Sequence, residues 1–177
     1  MPNRAGRIAA SLDSVHESLR MVQRELSGVR EDGARWRWAA VGMVIALQGA
    51  LVTALSGYET AQDADVEDPS SPDRFAPVAL LLRRARSAEY LNVPERVEMT
   101  GSAVRQIEHL VAYRNTVVHG LGMSEGEGVA KGCQRVLDIV RHVLLAYPAF
   151  DVSRHHLICA LISDELSRIE PLLREPG

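Results

Sequence analysis

The stretch "AYRNTVVHG", residues 112 to 120, places an arginine, an amide and a histidine within six positions: Arg114, Asn115 and His119. Each brings a distinct capability. Histidine titrates near neutrality and can give or take a proton. Arginine offers a planar fork of N–H donors, permanently charged, that matches phosphate oxygens. An amide can hold a further phosphate oxygen or set the imidazole tautomer. Cleavage of RNA through its own 2′-hydroxyl uses such groups and needs no metal. A structural role is the alternative, with Arg114 in a buried ion pair and His119 favoured by the C-terminal dipole of its helix.

The three residues close an apolar run, "SAVRQIEHLVAYRNTVV", that predicts a helix from Gly101 with Thr100 as its N-cap. Ile107, Val111, Arg114 and Val118 are spaced four, three and four, so they are expected on one face. Arg114 then stands where a bundle would carry a leucine. A buried unpaired guanidinium costs several kcal/mol, so the site must supply an acid, a wet cleft or a second subunit. Glu17 and Glu25 are possible acids. Asn115 and His119 lie about 40° apart round the helix, and Arg114 and His119 about 140°.

The rest of the chain must position this helix, and it too reads as helical. Ile8, Leu12, Val15, Leu19, Val22, Leu26 and Val29 make one amphipathic stripe that closes near Gly33. "WRWAAVGMVIALQGALVTALSG", residues 36 to 57, is apolar nearly all round, which suits a central core helix or a membrane span. Its uninterrupted part, Ala39 to Leu47, is short, Gln48 breaks it, and the other helices need a hydrophobic centre; a core helix is expected and a membrane is not. Residues 58–75 read as an exposed acidic loop. "PVALLLRRARSAEYL" predicts a helix opening at Pro77, and residues 92–100 a connector. Ser124 and Glu127 form a capping-box pattern before a stripe of Val129, Cys133, Val136, Val140, Val143 and Tyr147, stopped by Pro148. Asp151 or Ser153 caps a last helix carrying Leu157, Leu161, Ile162, Leu166 and Ile169, with Pro171 helping to end it.

The expected fold class is therefore all-α: a bundle of five to six helices with a four-helix core, in a single domain over residues 1–177. With 177 residues, 46% apolar and 5% aromatic, the core is built of aliphatic side chains. A net charge of −3 announces no global nucleic-acid field, although nineteen of the twenty basic residues are arginine. Cys133 and Cys159 read as buried thiols in a reducing cytoplasm, and the N-terminus has no apolar signal region.

Arg-Asn-x-x-x-His near a helix end in an all-α domain resembles the HEPN superfamily (higher eukaryotes and prokaryotes nucleotide-binding). The resemblance rests on residues 107–121. It implies a dimer with a composite, metal-independent RNase site in which Arg114, Asn115 and His119 are catalytic, and a role as toxin or antiviral defence effector. RNA, a second copy, and an antitoxin or regulatory protein are the partners it implies. Toxins of the paired nucleotidyltransferase type often continue His-x-Tyr, whereas Leu121 stands at that place here. The alternative is a non-catalytic helical module for dimerisation or for nucleotide or partner binding.

Other candidates are weaker. Arg83, Arg84, Arg86 and His109 could bind RNA phosphates. "HGLGMSEGEG" lacks the strand and Gly-Lys-Ser/Thr of a phosphate loop. His155, His156 and Cys159 lack further ligands at metal spacing, so neither a metal nor a cofactor is expected.

Overall fold

The computed structural model describes residues 3–120 and 126–174. Among them are six α-helices: α1 (Arg4–Ser27), α2 (Trp36–Gly57), α3 (Val78–Ala85), α4 (Gly101–Val118), α5 (Gly126–Arg141) and α6 (His156–Arg174). One small antiparallel pair, β1 (Glu67–Asp68) with β2 (Ser71–Phe75), completes an all-α bundle.

α2 is the axis. Its apolar residues are buried on almost every side because α1, α3, α4 and α5 pack round it. By length and composition α2 could cross a bilayer, and 83% of its most apolar window is buried inside the fold. Trp36 is buried, whereas Trp38 is 56% exposed. α1 lays the whole Ile8–Val29 stripe on α2 and α6. The approach is close: a Cβ on Gly49 would stand 2.8 Å from Val15 Cγ2 and 3.0 Å from the Ser11 carbonyl oxygen.

Several expectations need correction. The acidic segment 58–75 is no plain loop. Arg7 of α1 donates from Nε to Ser56 Oγ (2.9 Å) and pairs with Asp63 (2.8 Å). Arg84 of α3 donates to the carbonyls of Asp65 (3.1 Å) and Glu67 (3.0 Å). Those bonds, with the buried Val66 and Ala76, hold the segment and its strand pair against the bundle. α3 stops at Ala85 rather than reaching Leu91; Ser87 Oγ accepts from the Glu89 N–H, so a side chain competes with the helix ladder.

Beyond α5 a π-turn, His142–Ala146, widens the helix and carries Tyr147 off the buried stripe to the surface. Asp151 caps a 3₁₀ turn, Val152–His155, that leads into α6. Pro171 lies inside α6, which continues to Arg174. The inward face of α6 is Cys159, Ile162, Leu166, Ile169 and Leu173, while Leu157 and Leu161 are exposed. Ser124 and the side chain of Glu127, the expected capping box, lie outside what the structure describes.

Candidate functional site at the end of helix α4

α4 begins as its sequence predicts. Thr100 caps it, its side chain accepting from the Ala103 N–H at 3.2 Å. It ends at His119, the C-cap residue, whose N–H donates to the Asn115 carbonyl at 3.1 Å. Gly120 then turns the chain away at φ +76°, a conformation glycine takes without a steric penalty.

The inward face differs from the expected one. Ile107, Leu110 and Tyr113 are buried and Val117 half-buried, whereas Val118 is 60% exposed. The reason lies in α5. A Cβ on Gly132 would meet Leu110 Cβ at 2.8 Å and the Gln106 carbonyl at 2.9 Å, so a bare glycine backbone draws that side of α4 inward. Arg114 is left half-buried on the flank of the packed face.

There the arginine meets no acid among the described residues. Its Nε is buried and has no hydrogen-bond partner, a deficit worth about 1–3 kcal/mol for a buried donor. Neither suggested acid serves it. Glu17 lies by Arg20 and His16, and Glu25 by Arg24 and Arg35. Asn115 and His119 are exposed. Beside Arg114, burial pushes the Tyr113 hydroxyl pKa up, and the positive charge of Arg37 at the start of α2 acts against that rise.

The other candidates disperse. Arg84 belongs to the fold through its two carbonyls and its position over the Tyr90 ring, 5.9 Å from the centroid. Both bonds come from Nη1, and the residue is only 8% exposed, so it has little surface to offer RNA. Arg83 and Arg86 are exposed on and just after α3. His109 is exposed on the opposite side of α4 from Ile107, over Gly128 of α5. His156 Nδ1 lies 3.0 Å from the Ser153 carbonyl, and His155 stands edge-on to Phe150.

Sequence reasoning missed a second polar centre. A cleft of about 550 Å³ opens between the start of α4 and the α5 π-turn, lined by Thr100, Gln106, Arg135, Asp138 and His142 among others. Arg135 donates from Nε to Gln106 Oε1 (3.0 Å) and pairs with Asp138 (2.9 Å). His142 Nε2 lies 3.2 Å from the Arg96 carbonyl. Arg135 and Asp138 belong to the ordinary polar face of amphipathic α5, so the sequence carried no distinct signal, and nothing local announces the π-turn that shapes the cleft.

Set against known proteins, the chain matches no family model, no curated sequence and no solved structure.

Proposed function

We propose that the chain is a metal-independent endoribonuclease of the HEPN type, working as a homodimer in the cytoplasm as a toxin or antiviral defence effector. Control by an antitoxin or another regulatory protein belongs to the same reading. The observation that carries it is Arg114: a guanidinium without an acid among the described residues, its Nε buried and unpartnered, beside exposed Asn115 and one turn before exposed His119. Structural arginines are normally matched; this one is left to meet something else.

The chemistry balances without a cofactor. The substrate's 2′-hydroxyl loses its proton and attacks the adjacent phosphorus, and the bond from phosphorus to the 5′-oxygen breaks. His119 moves a proton, either from the attacking hydroxyl or to the leaving oxygen. Arg114 clamps the phosphate oxygens as charge builds, and Asn115 holds a further oxygen or orients the imidazole. The products are a 2′,3′-cyclic phosphate and a free 5′-hydroxyl.

The helix ladder turns Arg114 and His119 about 140° apart, so one protomer offers the fork and the proton carrier on different faces. A two-fold pairing of α4 ends sets the arginine of one copy beside the histidine of the other. Exposed Val118 on α4, with Trp38 and Ile45 on α2, supplies apolar surface for a seam. The same divergence favours the second reading, a non-catalytic module for dimerisation or for binding a nucleotide or partner.

A nuclease assay in EDTA separates the two. Cleavage of single-stranded RNA should survive the chelator, leave cyclic or 3′-phosphate ends, and spare DNA. Since general acid–base catalysis contributes about 10²–10⁴-fold, His119→Ala should retain under about a tenth of the activity with an unchanged melt. Arg114→Lys should also be defective, because a point charge cannot replace a planar fork. A requirement for Mg²⁺ would mean another mechanism. No RNA cleavage by a stable dimer would leave the interaction module, and a stable monomer at micromolar concentration would end the composite site. Retention in carbonate-washed membranes would contradict the cytoplasmic assignment.

A further inference from the structure

The cleft between the start of α4 and the α5 π-turn borders neither Arg114 nor His119, and the ribonuclease reading leaves it without a role. Arg135, Asp138 and His142 follow at steps of three and four, so one stripe of α5 and its π-turn forms one wall. Gln106 lines the cleft from α4, and Val97, Met99 and Ile139 add apolar surface. At about 550 Å³ the space suits a small organic ligand.

The hydrogen bonds already made show which groups are left. A guanidinium only donates, so Gln106 turns its Oε1 to Arg135 Nε at 3.0 Å and its amide nitrogen away. Arg135 Nη1 is spent on Asp138 at 2.9 Å. Among the described residues, Gln106 Nε2 and Arg135 Nη2 donate to nothing. A carbonyl only accepts, so the His142 Nε2 that lies 3.2 Å from the Arg96 carbonyl carries the proton. The neutral ring then keeps Nδ1 as an acceptor. That ring is held in place: the Tyr147 N–H closes the π-turn on the His142 carbonyl (2.8 Å), and the two rings stand 5.2 Å apart. π-Turns of this kind occur frequently at functional sites.

Charge then selects the ligand. Both acids of the cleft are paired, Glu98 with Arg96 (3.0 Å) and Asp138 with Arg135 (2.9 Å). An anion on Arg135 Nη2 would share one guanidinium with the Asp138 carboxylate, and like charges so close repel. A carbonyl oxygen takes the free donors without that cost. The acceptor on His142 calls for an N–H in the same ligand, and the apolar surface for a flat ring. A ring amide combines all three.

We propose that this cleft binds a small uncharged heterocycle carrying a ring amide. Its carbonyl accepts from Gln106 Nε2 and Arg135 Nη2, and its N–H donates to His142 Nδ1. The site goes beyond the ribonuclease reading and does not depend on it.

The test is calorimetry on the full-length protein with inosine, whose base presents such an amide in soluble form. Inosine should bind one to one. Inosine methylated on the amide nitrogen lacks the N–H, and adenosine lacks the carbonyl. Each should bind about tenfold more weakly or worse, as expected when a buried hydrogen-bonding group loses its partner. Gln106→Glu keeps an oxygen for Arg135 but removes the amide donor, and should weaken inosine by about tenfold or more with an unchanged melt. The comparison of the three ligands on the wild-type protein needs no variant to fold. Absence of inosine binding at millimolar concentration, or equal affinity for inosine and its methylated form, would overturn the proposal. Displacement of inosine by benzoate or inorganic phosphate would overturn it too, because the cleft would then be an anion site. Arg114→Ala should bind inosine as the wild type does. Inosine binding by a protein that cuts no RNA would uphold this site while the ribonuclease reading fell.

Discussion

Leu110 of α4 and Gly132 of α5 touch so closely that a Cβ added at 132 would lie 2.8 Å from Leu110 Cβ. Alanine normally favours a helix over glycine by about 1 kcal/mol. Here overpacking, typically about 1–3 kcal/mol, should outweigh that gain, because the second obstruction is the Gln106 carbonyl of the backbone. Gly132→Ala should lower Tm by several degrees, at about 2–4 °C per kcal/mol for a chain of this size. Gly33→Ala, where nothing lies within 4 Å, should stay within about 0.5 kcal/mol of wild type. Equal melts for the two would show that the helices separate freely.

Arg7 and Asp63 form an unequal pair, the guanidinium 1% and the carboxylate 70% exposed. Removing the buried member empties volume and takes a donor from Ser56. Arg7→Ala should cost about 2–4 kcal/mol by urea unfolding. Asp63→Asn keeps an acceptor oxygen at a solvated position and should cost under about 1 kcal/mol. Comparable losses at both sites would mean that the pair acts as a desolvated unit.

A composite site predicts complementation. Arg114→Ala and His119→Ala protomers, each inactive alone, should regain activity when mixed and allowed to exchange. Random pairing makes half the dimers mixed, each with one intact site, so roughly a quarter of wild-type activity is expected for a two-fold dimer. If both groups act within one chain, no mixed dimer holds a complete site and activity stays absent.

Burial raises the pKa of the Cys133 thiol and of the Tyr113 hydroxyl. The folded state thus prefers both groups protonated. Their stabilisation is fully present below the unfolded values, near 8.5 and 10, and is lost as pH rises through the higher folded ones. The urea midpoint should be level through neutrality and fall above about pH 9. Cys133→Ala should lower stability near neutrality and flatten the alkaline decline. An unaltered alkaline slope in that variant would place the titration elsewhere.

Hydrophobic periodicity by itself determined the helices and much of the core. The Ile8–Val29 stripe is buried throughout, residues 36–57 form the central helix, and Thr100 caps α4. These are local or strongly repetitive signals, and the chain has one way to satisfy them. The inward face of α4 was different, because two arcs compete: Ile107–Val111–Arg114–Val118 and Ile107–Leu110–Tyr113–Val117 are both apolar enough to be buried. Gly132 on another helix decides between them by letting α5 approach the second arc, and so leaves Arg114 on the flank with an unpartnered Nε. Leu157 and Leu161 have the right period for a core and are exposed, while Arg7 and Arg84 are charged and buried. In each case spacing tells which residues share a face, but only the packed neighbours set which face loses its water, and carbonyls and acids distant in sequence set which charges can follow it inside.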